Sequence, residues 1–428
     1  MTLVDWILLG GSAFLLLLGV PYAFAIGLVS IAALVAIGVD PVVTVQQMVA
    51  GIDVFALLAL PCFIIAGDLM HTGGLSNRLV KLAMVVARRF RGGVGMVAVL
   101  SAMMFGAISG SAPATTAAIG KLMIPEMEKR GYKRSFAAAL AAAYGPIGIL
   151  IPPSIPMVIW GVISNTSVPR MFFAGILPGV LMTAALVLVC NIHARWADIP
   201  RVDTRASLRE FGLATWDAKW ALLAPVIILG GIYGGVFTPT EAGVIGITYG
   251  LLVGLFLHGE LKWHMLSGII LRSVNTSASI AFVISIATVF GWIVAYEQLA
   301  ERVAESIVNI TDNRILILLL LNLFLLLVGM LMDTIAIMIV FSGFLVQLGA
   351  QLGIDPVHLG IMLIVNLGVG LMTPPFGYTL FTAAAISEVP FGKIVKSLWI
   401  LVLVELAVVG LVTYIPAISL TLPALFMD

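Results

Sequence analysis

Charge is scarce in this chain. Of 428 residues only 10% are Asp, Glu, Lys or Arg, against 61% hydrophobic, and the mean hydropathy is +1.16. Soluble domains carry about 25% charged residues, so a soluble globular protein is excluded and an all-α polytopic membrane protein is implied. The formal net charge is +1 and no basic patch is interleaved with aromatics, which argues against nucleic acid as a partner. Cysteine is nearly absent: Cys62 and Cys190 both lie in apolar stretches and read as small buried hydrophobes. The five histidines, His71, His193, His258, His264 and His358, are scattered without ligand spacing, so no transition-metal site is expected. A phosphate-binding Gly-Lys loop, a His-Glu-x-x-His motif and a Ser/His/Asp constellation are all missing, so the chain is not expected to be an enzyme or to carry a cofactor. Residues 3–18 followed by Ala23-Phe24-Ala25 mimic a signal peptide. The start, however, lacks Lys and Arg and contains Asp5, so a retained helix is expected.

What is present is a pair of interrupted apolar segments. GAISGSAPATTAAIG, residues 106–120, joins the apolar runs 94–105 and 119–124. Crossing a bilayer takes about 20 apolar residues in a helix, so neither run spans. Two half-length helices joined by Ser, Gly, Pro and Thr predict a re-entrant hairpin over about 94–124. The pattern recurs over about 315–348, where MLMDT at 330–334 makes the interruption. Non-helical backbone at membrane depth is tolerated only inside protein or along a cavity. Two such interruptions in corresponding halves point to a transporter's binding site.

The correspondence is numerical. Pro152-Pro153 in GILIPPS and Pro374-Pro375 in GLMTPPF are 222 residues apart, as are Gly148 and Gly370, and Gly131 and Gly353. Gly67 and Leu75 match Gly291 and Leu299 at 224, and Gly19-Val20-Pro21 aligns with Gly235-Val236 and Pro239. This divides the chain into a first repeat, 1–195, a polar cytoplasmic linker, 196–219, and a second repeat, 220–428. Crossings are expected near 6–20, 22–39, 54–70, 136–163, 171–194, 221–237, 241–257, 274–296, 357–387 and 397–420. Five crossings separate the amphipathic stretch 75–91 from its acidic partner 299–314. Five is odd, so the repeats must be inverted. With 75–91 in the cytoplasm, 19 of the 22 Lys and Arg lie inside and only Arg170, Arg302 and Arg314 outside, as the positive-inside rule requires. Both termini then face the periplasm. If residues 6–39 formed one bent helix, the N-terminus would move inside.

A hairpin tip at the midplane presents carbonyls from one half-helix and N–H groups from the other, each end carrying about half a charge. The first suits a small cation, the second an anionic group. Gly110 permits the turn, Ser109 and Ser111 add neutral oxygens, and Pro113 suits the first turn of the outgoing helix. Further oxygens are expected from broken spans at AYGPIGILIPPSIP, 143–156, and NLGVGLMTPPFG, 366–377, where Pro-Pro frees carbonyls. Asp333 falls at the second tip, as a sodium ligand, a proton carrier or a helix N-cap. Asp68 and Glu241 fall near span ends and read as interfacial. Glu405 lies deep in an apolar span and has no assigned role.

GAISGSAPATTAAIG, GPIGILIPPS, GGIYGGVFTPTEAG and GVGLMTPPFG, in this order, resemble the large membrane subunit of the tripartite ATP-independent periplasmic (TRAP) transporters, a family of the ion transporter superfamily. The resemblance covers essentially the whole chain. It implies a sodium-driven elevator transporter in the bacterial inner membrane, a small four-helix membrane subunit beside it, a periplasmic binding protein, and a carboxylate substrate such as a C4-dicarboxylate, sialic acid or 2-oxo acid. It implies a first sodium site at Ser109, Gly110, Ser111, Gly145 and Pro146, and a second at Gly329, Asp333, Thr334, Gly370 and Met372. It further implies substrate contacts from Ser109, Ser111, Ser154 and Thr373. Sialate-type members carry an Asp where GSAPAT has Thr115, which shifts the expected substrate toward smaller carboxylates. The alternative is a stand-alone sodium–anion symporter of the same superfamily, but its Ser-Asn-Thr tips are replaced here by Ser-Gly-Ser and Met-Asp-Thr.

Overall fold

The computed structural model describes residues 2–87, 92–199, 207–299, 302 and 313–427. Several expectations lie outside these residues. They are the end of the first amphipathic stretch with Arg88, Arg89, Phe90 and Arg91, most of its partner with Glu301 and Glu305, and Arg201 and Arg205 of the linker. The described chain is helical throughout and holds no strand among the described residues. Among the described residues, six helices are long and apolar enough to cross a membrane: Phe55–Thr72, Val168–Trp196, Arg209–Tyr233, Pro239–Leu257, Trp263–Tyr296 and Phe391–Tyr414. Two bent pairs could add to these, Arg134–Leu150 with Ile155–Ile163 at 45° and Thr334–Val340 with Ser342–Gln351 at 67°. The first is the broken span expected at 136–163. The second lies inside the second interrupted segment.

The chain begins with two helices, α1 (3–17) and α2 (Tyr22–Ala36), folded back on each other. They pack closely enough that a Cβ on Gly11 would lie 3.0 Å from Val29. Residues 6–39 are therefore not one bent helix. Each helix is about 22 Å long at 1.5 Å per residue, shorter than the roughly 30 Å hydrocarbon core. Asp5, 1% exposed, anchors this hairpin: Arg302 donates to it through Nη1 at 3.1 Å and Nη2 at 2.8 Å. Removing one partner of such a pair strands a buried charge. Arg302 is itself 40% exposed and Asp5 keeps its bonds to Thr2, so Arg302→Ala is expected to destabilise the protein by about 1–3 kcal/mol. Asp5→Asn with Arg302→Ala should recover most of that loss in a thermal unfolding measurement.

Four expected boundaries are corrected. Residues 42–52, assigned to no crossing, form α3 (Val42–Ile52). Asp40 starts it by accepting from the Val42 amide at 2.9 Å, and the helix packs on α13 (Trp263–Tyr296), where Ser285 donates to the Met48 carbonyl at 3.0 Å. Gln46 and Gln47 interrupt its apolar run and hid it from an apolarity count. The span expected at 274–296 runs from Trp263, eleven residues earlier. The linker is shorter than 196–219, because Ser207 and Glu210 form a reciprocal cap that starts α11 (Leu208–Tyr233) before the expected 221. The last span is α19 (Phe391–Tyr414), not 397–420; Pro416 follows it and a separate short helix, α20 (Ala417–Phe426), closes the described chain.

Between these lie α4 (Phe55–Thr72), α5 (Leu75–Ala87), α6 (Gly93–Ser109), α7 (Ala112–Lys129), α8 (Arg134–Leu150), α9 (Ile155–Ile163) and α10 (Val168–Trp196). After α11 come α12 (Pro239–Leu257), α13, α14 (Arg314–Gly329), α15 (Thr334–Val340), α16 (Ser342–Gln351), α17 (Pro356–Met372) and α18 (Tyr378–Ser387). Helix α5 shows the expected amphipathy over its first turns, where Leu75, Leu79 and Leu82 are buried while Lys81 is exposed; Val86, expected on the same apolar face, is exposed. Its Arg78 reaches Glu260 at 2.6 Å and Asp217 at 3.6 Å, tying it to α11 and to the loop before α13. The densest burial surrounds α8, α9 and α17. All of 136–160 is buried, and so is all of 357–373.

Candidate functional site

The first tip forms as its residues dictate. Helix α6 ends at Ser109, Gly110 takes a left-handed conformation (φ +60°), and Ser111 is extended before Pro113 enters the first turn of α7. Only glycine adopts that φ without strain here, and a Cβ on Gly110 would lie 2.7 Å from the Pro153 carbonyl oxygen. At the second tip α14 ends at Gly329, the chain turns through 330–332, and Asp333 caps α15, accepting from the Ile335 amide at 3.0 Å. The N-cap reading of Asp333 therefore holds. Its side chain is also exposed on a cavity wall.

Each tip is fastened to a broken span in the same way. The Ile155 amide donates to the Gly110 carbonyl at 3.4 Å, and the Gly377 amide donates to the Met330 carbonyl at 3.4 Å. Ile155 and Gly377 keep the offset of 222. Both Pro-Pro bonds, Pro152-Pro153 and Pro374-Pro375, are cis. The Ile149 carbonyl accepts from Ser154 Oγ at 2.6 Å, and Leu371, its partner at the same offset, accepts from Thr379 Oγ1 at 3.0 Å. Hydroxyls thus satisfy carbonyls that the proline breaks deprive of their helical donors.

Both tips open on one cavity of about 770 Å³. Its lining includes Ser109, Gly110, Ser111, Gly329, Asp333 and Thr334. Six of the sequence-predicted site residues are thereby brought together. The others sit behind them. Gly145 faces the first outgoing half-helix, where a Cβ would approach Thr116 Oγ1 to 2.3 Å and the Ala112 carbonyl to 3.2 Å; Pro146 follows it in the same buried break. Gly370 lies against Gly329, where a Cβ would come within 2.7 Å of the Gly329 carbonyl carbon, and Met372 is fully buried two residues on. Ser154 and Thr373 do not reach the cavity. They are 1% and 2% exposed, and their hydroxyls donate to the Ile149 and Val369 carbonyls, both at 2.6 Å.

Two oxygens stand out by what they lack. Thr116 Oγ1, beside Gly145, and Thr334 Oγ1, on the second tip, are buried with no hydrogen-bond partner. An unsatisfied buried polar group costs about 1–3 kcal/mol, so an oxygen beside the first break and one on the second tip are suited to a cation that supplies the missing contact. Thr334 was expected. Thr116 was missed, although a Thr pair in the small-residue run PATTA was a signal. Its neighbour Thr115 works inward: its hydroxyl donates to the Ser111 carbonyl at 2.8 Å and lies 3.1 Å from Ser109 Oγ. Asp68, His71 and Lys121 also line the cavity. Asp68, read as interfacial, accepts from Ser273 Oγ at 2.7 Å. Glu241, also read as interfacial, forms a reciprocal cap with Thr238 at the start of α12.

Paired half-helix tips opening on one cavity inside a multi-helical membrane protein define the class of membrane transporters. The comparisons narrow the class. Residues 9–418 match the family described as "Tripartite ATP-independent periplasmic transporter, DctM component", and the chain belongs to that family. It is 40% identical over 415 residues to the isethionate TRAP transporter permease protein DctMQ of Oleidesulfovibrio alaskensis, covering 97% of this chain but only 65% of that relative's length. It is 38% identical over 419 residues to the sialic acid TRAP transporter large permease protein SiaM of Vibrio cholerae, covering 96% of this chain and 97% of that one. The fold resembles the YdaH transporter of Alcanivorax borkumensis, with a TM-score of 0.65 at 16% identity over 89% of this chain and 88% of that chain. These relatives are transport permeases, not enzymes.

Proposed function

We propose that the chain is the membrane permease of a three-part uptake system that couples entry of a small organic anion to sodium. The observation that carries this reading is the pair of tips on one shared cavity, each fastened to a broken span, with a buried, unpartnered threonine hydroxyl at Thr334 in the second tip and another at Thr116 beside the first break. The first sodium would lie among Ser109, Gly110, Ser111, Gly145 and Pro146, with Thr116 added. The second would lie among Gly329, Asp333, Thr334, Gly370 and Met372. Sodium favours such neutral oxygens and needs no thiolate or imidazole. The anion would enter the cavity between the tips, where Ser111 and the start of α7 offer donors. Ser154 and Thr373 hold the breaks together and act on the substrate only through the tips.

The repeated fastening at an offset of 222 supports two inverted halves, with hairpins and broken spans moving together as an elevator against α1–α5 and α11–α13. Asp68, His71 and Lys121, on the side where the charge count places the cytoplasm, would line the exit. In the DctMQ relative, the length beyond this chain's match fits a small subunit, in keeping with a small four-helix membrane subunit as a partner. A periplasmic binding protein would deliver the anion. Thr115 points away from the cavity, so the size argument based on it loses its direct contact. The substrate class stays at small organic anions, carboxylates first.

The test is uptake into proteoliposomes containing this chain, its small subunit and the binding protein, with sialic acid, isethionate and a C4-dicarboxylate as probes. At least one probe should accumulate with sodium outside and fall to background when potassium replaces it. Accumulation that is equal in potassium would refute the coupling.

A further inference from the structure

Helix α19 carries a carboxylate that the mechanism above does not use. Glu405 is 0% exposed, and neither Oε1 nor Oε2 has a hydrogen-bond partner. It forms no ion pair among the described residues. An ionised carboxylate cannot persist unpaired in such surroundings; it neutralises or binds a cation.

Its depth follows from the register of its neighbours. Helix α17 runs antiparallel to α19, with His358 at Ser419 and Asn366 joined through Asn322 to Thr413, and antiparallel to α8–α9, with Pro356 at Trp160 and Gly368 beside Pro146; α19 is therefore parallel to α8, and Ser397 Oγ meets Ser135 Oγ at 3.3 Å. Eight residues further along both helices lie Glu405 and Ala143, next to Tyr144 and the Gly145-Pro146 break. Asn322 bridges α19 and α17, bonding Thr413 at 3.2 Å and Asn366 at 2.8 Å. Eight residues back from Thr413 is Glu405, and eight residues on from Asn366 is Pro374, at the second break. Each step of eight is about 12 Å. Glu405 thus lies at the level where both spans are interrupted. Tyr144 is at the same level, and its hydroxyl is likewise buried without a partner.

Among the described residues no charged group on the packed elements offsets it. On α14, Arg314 is next to Ile315, whose carbonyl accepts from Tyr414 at the far end of α19. On α8, Arg134 is about 12 Å down the helix, bound to Glu128 and to the Ser387 carbonyl. On α17, His358 Nδ1 bonds Ser419 Oγ at 2.7 Å, beyond the far end of α19. On α10, Arg170 is in the first turn, and Cys190, His193 and Arg195 are in the last turns. On α18, Tyr378 is at the cavity. On α19 itself, Lys393 and Lys396 lie in the first two turns and Tyr414 ends it.

We propose that Glu405 is a proton-binding site between the two breaks. It takes one proton from water, holds it as a neutral carboxylic acid while the breaks are packed around it, and returns it to water as the carboxylate when the breaks part during the cycle. The site is distinct from the two tips, so it stands whether or not sodium is the ion bound there.

Infrared spectroscopy of the purified full chain tests this without substrate. The spectrum of the wild type minus that of Glu405→Gln at neutral pH should contain the carbonyl band of a protonated carboxylic acid. That band should move to its deuterated position after transfer to heavy water under native conditions. A difference spectrum with carboxylate bands only would overturn the proposal. So would an acid band that never exchanges, since that proton would be locked in a structural group. Labelling the glutamate carboxyls with carbon-13 in the wild type provides a second reading that needs no variant: the exchanging acid band must shift, and an unshifted band would equally overturn the assignment.

Discussion

Gly370→Ala should reduce sodium-driven uptake to background. The added methyl would stand 2.7 Å from the Gly329 carbonyl carbon and 2.8 Å from its Cα, so the partner is backbone and cannot turn aside. The second tip would have to separate from its broken span. Overpacking of this kind costs about 1–3 kcal/mol, and the displacement falls on the proposed cation oxygens. The control is Gly392→Ala, where nothing lies within 4 Å of the new carbon; it should transport like the wild type. Uptake by Gly370→Ala at the wild-type rate would show that the Gly329–Gly370 contact is not part of the site.

Thr116→Val and Thr334→Val should separate folding from ion binding. Each removes a buried hydroxyl that bonds to no protein group and keeps the branched shape. If the hydroxyls had no ligand, their removal would leave sodium dependence untouched. On the reading advanced here, stability without sodium stays level or rises, while the stabilisation added by sodium shrinks. A contact with a charged group is worth about 1.5–3 kcal/mol, so half-maximal activation should need roughly ten- to hundred-fold more sodium in each variant. Thermal unfolding in sodium against potassium, beside uptake as a function of sodium, checks both halves of the statement.

Much of this site was legible in the sequence because it is built from interruptions. Gly110, Pro113, Pro152-Pro153 and Pro374-Pro375 can hardly stand in the middle of an apolar helix for any other reason, and the fixed offset of 222 paired the two Pro-Pro breaks. The tips therefore fell where Ser109–Ser111 and Asp333 predicted. What stayed hidden depends on which way a side chain points. Ser154 and Thr373 look like substrate ligands by position, yet their hydroxyls turn back onto helix carbonyls. Thr116 looks like helix filler, yet its oxygen is left facing Gly145. Helix α3 was hidden because Gln46 and Gln47 interrupt its apolar run. The early start of α11 was hidden because its first turns are charged, although the Ser207–Glu210 spacing of a reciprocal cap was there to be read. Glu405 was visible as an oddity, but its depth relative to both breaks needs the register of α8 and α17.

The central claim is that the two tips are cation sites. It is tested most directly by calorimetric titration of sodium into the purified permease with its small subunit, in potassium buffer and without substrate. The account predicts a saturable sodium heat that further potassium does not reproduce, reduced by Thr116→Val and by Thr334→Val and lost when both are combined. No saturable heat, or an undiminished one in the double variant, would contradict it.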